Sequence, residues 1–255
     1  MRLFFVLLGL AGVSSAGAEP ALSVAAQALY YDSREYDDDG TRLNREAGWV
    51  PGLRLRWQSR PQAGAGLVLE GDGLHGQVDY DGQTQSGAPF QSDTRMTQWR
   101  LGAALRYCPA SCRQHLLLGW RFYGRDRDIR ARAGVAGLYE EYRWQELSLG
   151  GRWQFSRQPQ WSLAAEVHGV VGARLDVDLR PLGGRWTRLD LPFAVGAAVG
   201  LQRQFGQGLS LSLHHEWLAM DASRARHVQL GGLPAQIREP QSEAHHWRLT
   251  FEWHP

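Results

Sequence analysis

The chain closes on the stretch "HHWRLTFEWHP", residues 245–255. Side chains alternate across a strand, so Trp247, Leu249, Phe251 and Trp253 share one face, and His246, Arg248, Thr250 and Glu252 the other. A strand with large aromatics along one whole side needs an apolar surrounding for that side. The question is whether that surrounding is a protein core or a membrane.

Composition narrows the answer. The chain has 255 residues, enough for one large all-β domain or two small ones. Its formal charge is +2, which does not favour nucleic-acid binding, and all 28 basic residues are Arg. Beyond the N-terminus no apolar run approaches the ~20 residues of a spanning helix, and mean hydropathy is −0.40. A membrane barrel escapes this test, because its apolar and polar residues alternate and cancel in the average. The N-terminus reads as a secretory signal peptide over residues 1–18, with Arg2, the apolar stretch Leu3 to Val13, and small residues at Ala16, Gly17 and Ala18. Residues 19–255 are then one barrel domain starting at Glu19, and no Cys stands at the cleavage point to carry a lipid. Cys108 and Cys112, in "CPASC", are expected to pair in an oxidising compartment. The other reading is two free thiols. Two ligands make a poor structural metal site, and no metal or cofactor is expected.

Ten segments show period-2 alternation. The first carries Leu22, Val24, Ala26, Ala28 and Tyr30 on one face, the second Trp49, Leu53, Leu55 and Trp57, and the fourth Trp99, Leu101, Ala103, Leu105 and Tyr107. In the third the phase moves from Leu67 and Leu69 to Leu74, Val78 and Tyr80, which predicts a bulge near Gly71 or Gly73. The seventh keeps Leu163 to Leu175 on one face and sets Glu166, His168, Arg174 and Asp176 opposite. The eighth runs Leu191, Phe193, Val195, Ala197, Val199 and Leu201 against small residues. Short connections ("QSRPQ", "CPASC", "SRQPQ", "GQG") alternate with longer polar ones at about 32–44, 81–94, 124–139, 178–188 and 220–243, the asymmetry of outer-membrane barrels. If the first strand runs outward, Trp57, Tyr107, Trp153 and Trp253 gather at one height, and Tyr30, Trp49, Trp99, Trp120 and Trp247 at another. The eight steps from Trp49 to Trp57 span roughly 20 Å of membrane normal, close to the apolar band.

With these features the chain resembles a Gram-negative outer-membrane β-barrel protein of the ten-stranded type. The resemblance covers the signal, the ten strands and "HHWRLTFEW", which is similar to the family's C-terminal β-signal. That signal usually ends on its aromatic, whereas here His254 and Pro255 follow Trp253, and Arg248 stands where glycine is common. The resemblance implies an all-β, single antiparallel transmembrane β-barrel of about ten strands in the cell outer membrane. It also implies periplasmic N- and C-termini, a monomer, and the barrel-assembly machinery and outer-membrane lipid as partners. The alternative is a secreted soluble β-protein.

In a barrel the polar faces line the lumen. The expected luminal charge network is Arg54, Arg56, Glu70, Asp72, Arg100, Arg106, Arg121, Glu146, Arg152, Glu166, His168, Arg174, His214, Glu216, Arg248 and Glu252. Such charges must be paired or hydrated. One reading is an Arg–carboxylate network that plugs the barrel; the other is a narrow porin-like channel for small polar solutes. Gly196 and Gly200, with Ala194 and Ala198, leave room for water or for a large neighbour. No catalytic set is assigned. "HHEW" places only His214 and Glu216 on one face, and Glu166 with His168 repeats that spacing; both read as structural pairs. Asp79 with Asp81, Asp126 with Asp128, and Asp176 with Asp178 read as solvated rim charge, and no Asp-x-His matches the ten-stranded omptin proteases. Arg125, Arg127, Arg130 and Arg132 are read as an outer-loop contact for lipopolysaccharide phosphates. The favoured function is a non-enzymatic surface or structural barrel with a largely plugged lumen. The alternatives are a narrow pore and, third, an outer-rim hydrolase acting on protein or lipid.

Overall fold

A computed structural model describes residues 21–255 apart from 60–63, 85–86, 111, 156, 159 and 207. The signal-peptide reading of residues 1–18 therefore lies outside the described residues. Its strands are β1 (Ala21–Tyr36), β2 (Arg42–Gln58), β3 (Gly64–Gln83), β4 (Pro89–Cys108), β5 (Gln114–Ile129), β6 (Leu138–Gln154) and β7 (Trp161–Asp178), followed by β8 (Trp186–Asp190), β9 (Ala194–Phe205), β10 (Leu209–Met220), β11 (Arg226–Leu230), β12 (Leu233–Ile237) and β13 (Gln241–Trp253). Each strand from β1 to β7 pairs antiparallel with the next. β7 also pairs with β9, β9 with β10, β10 with β13, and β13 returns to β1. The sheet is thus a closed barrel of ten strands, and among the described residues no helix is longer than one turn. β8 pairs with the upper part of β7 and continues the line of β9. β11 and β12 form a separate hairpin in the connection 221–240.

Closure follows from the last strand. β13 pairs with β1 from Val24↔Trp253 to Tyr36↔Gln241, satisfying both edges that an open sheet would leave bare. Trp247, Leu249, Phe251 and Trp253 face outward, and Arg248, Thr250 and Glu252 are buried inside. The outward face is apolar through the same band on every strand; Leu53, Leu118 and Phe193 are 65%, 59% and 61% exposed. Aromatics sit level at its upper border: Tyr30 stands opposite Trp49 on one side and Trp247 on the other.

The strands run well past that band. β3 and β4 have 20 residues each, or about 50 Å along the axis at the usual rise and tilt, twice the ~25 Å of an apolar band. Above the band the outward face becomes charged: Arg45 pairs with Asp32 at 2.8 Å, Arg143 with Asp126 at 2.6 Å, and Arg188 with Asp176 at 2.7 Å. Part of each connection read as a long loop is therefore strand: 32–36, 42–44, 81–83, 89–94, 124–129 and 138–139 lie in the wall and β8 extends it, whereas among the described residues 37–41, 84–88, 130–137, 179–185, 191–193 and 221–240 leave it.

Inside this upper region the barrel is filled by apolar side chains. Leu29, Tyr31, Val50, Leu74, Val78 and Met96 form one buried cluster. A second joins Tyr142, Val170, Leu175, Leu189 and their neighbours to Leu218 and Met220, and Val228, Leu230 and Ile237 of the 221–240 connection pack against it.

Three expectations change. No bulge occurs at Gly71 or Gly73, since β3 pairs with β4 in one register from Gly64↔Cys108 to Gln83↔Pro89. Leu74 and Val78 keep the phase of Glu70 and Asp72 because the lumen itself turns apolar at their height. The irregularity falls in β7, where Gly172 takes φ +61° and the register against β6 shifts between Arg143 and Gln145. A left-handed residue there costs glycine no Cβ clash. The shift turns Ala173, Leu175 and Val177 into the core and sends Arg174 outward. Arg174 is therefore not part of the lumen, and Leu191, read as outward, lies in the second cluster.

Candidate functional site

Within the apolar band the lumen is lined from the terminal end upward by charge and hydroxyls. All the expected luminal residues except Arg174 face it. Ser23 donates to Glu252 at 2.5 Å, and Arg54 reaches the other oxygen of the same carboxylate at 3.2 Å. Arg152 donates to Gln202 at 2.7 Å, and Gln202 to Ser210 at 2.8 Å. Arg106 bonds Gln58 and the Ser59 carbonyl. A cavity of about 170 Å³ lies among these residues and reaches the next layer, bordered by Arg54, Arg152 and Glu252 as well as by Arg121, His214 and Glu216.

Next comes a layer of tight Arg–carboxylate bonds. Arg100 donates to Asp72 at 2.5 Å and to the Tyr123 hydroxyl at 3.3 Å. Arg248 donates to Gln27 at 3.0 Å and stands 3.5 Å from Asp72. Arg121 bonds Glu166 and Ser148 and stands 3.6 Å from Glu146. Arg forks suit such shared carboxylates. β9 makes the space: a Cβ on Gly196 would collide with the His168 ring, and one on Gly200 with His214. The room beside these glycines is thus filled by imidazoles, and Arg174 is elsewhere.

The next level holds Glu146, His168, Glu216 and His246. Glu216 lies 3.5 Å from His168 Nε2 and 3.8 Å from His246 Nδ1. Its partners are therefore these two rings and not His214, its neighbour two places back. Glu216 and His246 border both the large cavity and a second of about 40 Å³, which Tyr123, Arg125, Trp144 and Glu239 also line.

The top of the lumen is an ionic knot that the sequence reading assigned elsewhere. Arg125 and Arg127, read as outer-loop contacts, lie on β5 and point inward. Arg127 is 3% exposed and pairs with Glu46 at 3.0 Å, Glu140 at 2.9 Å and Glu35 at 3.4 Å. Its Nη1 also donates to Tyr142, whose hydroxyl donates to Glu239 at 2.7 Å. Arg125 donates to the Tyr31 hydroxyl at 2.8 Å and lies 4.5 Å over the Tyr142 ring. Glu239 belongs to the 221–240 connection, which tucks in through reciprocal backbone and hydroxyl bonds with Ser223. Burial pushes the Glu239 carboxyl well above the usual range, and Glu35 and Glu140 push it further against the pull of Arg127. Only Arg130 and Arg132 of the four remain exposed.

Glu35, Glu46, Glu140 and Tyr142 were not singled out in the sequence, and His246 was placed on the polar face of the last strand but not in the charge network. All five keep the inward phase of their strands, so extending the alternation past the aromatic belt finds them; Glu239 carries no such signal. Outside the barrel, His215 points away from the lumen, with its Nε2 3.3 Å from His245 Nδ1 and its ring 4.4 Å from Trp247. Cys108 and Cys112 form a disulfide at a short turn. The D-x-D residues bind arginines on the outer surface: Asp81 with Arg42, Asp126 with Arg143, Asp176 with Arg188 and Asp178 with Arg180.

No family model and no curated protein matches the sequence. Among solved structures, the outer membrane protease OmpT from Escherichia coli superposes with a TM-score of 0.51 at 8% identity, over 94% of this chain and 97% of that one. The translocator domain of autotransporter NalP from Neisseria meningitidis gives 0.47 at 11% identity, covering 91% and 88%. The Pseudomonas putida toluene transporter TodX gives 0.45 at 8%, covering 92% and 89%. At such identities the likeness to OmpT is one of fold alone. By its closed sheet and outward apolar belt, together with that likeness, this chain has the fold of a ten-stranded outer-membrane β-barrel.

Proposed function

We propose that the protein is a non-conducting surface barrel that works through its loop-end exterior. The observation that carries this reading is the filling of the upper lumen: the Arg127 knot, flanked by two apolar clusters and closed by the 221–240 connection. An ion crossing here would have to displace packed apolar side chains and break charge pairs that have no water to replace them. The lower lumen is wetter, but its arginines are largely bonded to carboxylates and amides, which favours a stiffening plug over a solute path. Both termini lie at the periplasmic end in this reading, and β13 is the strand offered to the barrel-assembly machinery. Lipopolysaccharide is taken as a partner of the outer surface, with Arg130 and Arg132 as its remaining contacts from the original four.

Planar-bilayer recording tests the reading. The intact barrel is expected to give no stable conductance steps, whereas replacing residues 224–238 by a short linker together with Arg127→Ala should produce them. Regular steps from the intact barrel would sink the proposal in favour of the porin-like alternative. For the lipid partner, Arg130→Gln with Arg132→Gln should weaken binding to lipopolysaccharide-containing vesicles; unchanged binding removes that contact.

A further inference from the structure

One cluster in the lumen is not explained by plugging. Glu146 on β6, His168 on β7 and Glu216 on β10 each offer one ligand atom, and these atoms all lie within 4.8 Å of one another. The His168 side chain is fully buried, yet neither ring nitrogen has a hydrogen-bond partner. The nearest carboxylate oxygens, of Glu216 and Glu166, stand 3.5 Å and 3.8 Å away, beyond N–H···O range. Glu146 Oε2 is likewise buried without a hydrogen bond, while its Oε1 accepts from Trp144 Nε1 at 3.0 Å. Two separate strands thus aim unsatisfied atoms at one point, which Glu216 of a third strand also reaches, and a buried orphan of this kind is costly.

We propose that Glu146, His168 and Glu216 bind a divalent transition metal ion of the zinc class in the barrel lumen. His168 Nε2 and Glu216 Oε1 stand 3.5 Å apart, the separation of two ligands about 2.0–2.2 Å from a common tetrahedral centre. One imidazole and two carboxylates form a mixed nitrogen–oxygen set; calcium and magnesium take oxygen ligands instead. Charge agrees, because two carboxylates neutralise a dication, and Arg121, the cation beside them, is already bonded to Glu166. The outer contacts are those a metal site needs to hold its ligands. Trp144 fixes Glu146, and His246 stands 3.8 Å from the second oxygen of Glu216. Gly196 clears the space for the His168 ring. Glu216 borders both cavities, so the ion has a polar way in.

The test is zinc titration of the full barrel, folded in detergent micelles and stripped with chelator, followed by calorimetry and by the visible bands of a cobalt-loaded sample. A single zinc per barrel is expected. His168→Ala and Glu216→Gln should each weaken binding by about tenfold or more, since even outer-shell losses cost that much, and His168→Ala should change the cobalt spectrum. Glu252→Gln, at the terminal end of the lumen, should leave zinc binding in place. The half-buried His215–His245 pair on the outer face is the competing site. Zinc that follows His215→Ala with His245→Ala, and ignores Glu216→Gln, overturns the proposal, as does an intact barrel that binds no zinc. Heat-dependent mobility on gels reports folding of each variant. Should His168→Ala fail to fold, Glu146→Gln and Glu216→Gln carry the same test.

Discussion

The two halves of this barrel are built inside out relative to each other. Within the apolar band, Leu53, Leu101 and Leu118 face outward and Arg54, Arg100 and Arg121 face inward. Above it, Arg45, Asp126 and Asp176 face outward, while Leu74, Met96 and Leu175 are buried inside. One continuous set of strands carries both patterns with no change of pleat, apart from the β7 bulge. The solvent therefore decides which face is apolar, and the same alternation serves lipid below and water above. The lower half is an apolar-faced wall around a polar, charged lumen. The upper half is organised like a soluble β-protein whose core holds one ionic knot.

The strongest way to break this contrast is to remove the cation from the knot. Arg127→Met leaves Glu35, Glu46 and Glu140 facing one another in a dry interior. Losing one partner of a buried charge set costs about 3–5 kcal/mol, because the remaining charge is uncompensated. Arg42→Met removes an exposed pair with Asp81, at 3.1 Å, and should cost below about 1 kcal/mol. Urea unfolding followed by tryptophan fluorescence compares the two. Equal losses would mean that the upper lumen is as wet as the outer surface, and the description of that half as a core would fall.

A second pair of variants locates the border on the outside. Leu101 and Gln77 both point outward, one within the band and one above it. Leu101→Arg should cost about 2–4 kcal/mol in a lipid bilayer, and Gln77→Arg should stay within about 0.5 kcal/mol, as surface changes do. Refolding titrations into lipid vesicles measure both. A similar penalty at Gln77 would place the membrane higher on the barrel than the aromatic belt does.

The same border explains which parts were legible in the sequence. Between Leu22 and Tyr30, or Trp247 and Trp253, apolar and polar residues alternate, so strand, face and closure could be read directly. Past the belt both faces carry charge or small residues, and the period-2 signal fades. Residues 32–36 and 81–83 consequently looked like loop, and Arg125 and Arg127 like rim charge, although their spacing from Arg121 and Tyr123 keeps them in the lumen. Gly172 broke the rule in the other direction. One residue taking φ +61° shifts the register there and moves Arg174 to the outside, and nothing in the local pattern distinguishes it from the other glycines. Glu239 was illegible for a different reason, since its place depends on how a connection of some twenty residues folds back over the barrel.

Glu239 also supplies the subtlest test, because it joins the two solvents' regimes in one side chain: a loop carboxyl held inside. Its folded pKa is raised by burial first and by Glu35 and Glu140 next. For an acid the sign follows directly. The folded state holds the proton more tightly than the unfolded one, so the docking free energy is fully present below the ordinary glutamate range near 4.3. It is lost as pH rises through the elevated folded value. The 221–240 connection is therefore expected to loosen toward alkaline pH while the membrane band is unaffected. Amide hydrogen exchange, corrected for its intrinsic pH dependence, should show falling protection in 221–240 and constant protection in β1 and β13. Glu239→Gln keeps the acceptor for Tyr142 without the titrating proton and should flatten the pH response of that segment. A wild-type connection whose protection does not fall with pH, or a variant that loosens in parallel with it, would show that the buried carboxyl does not hold the cap.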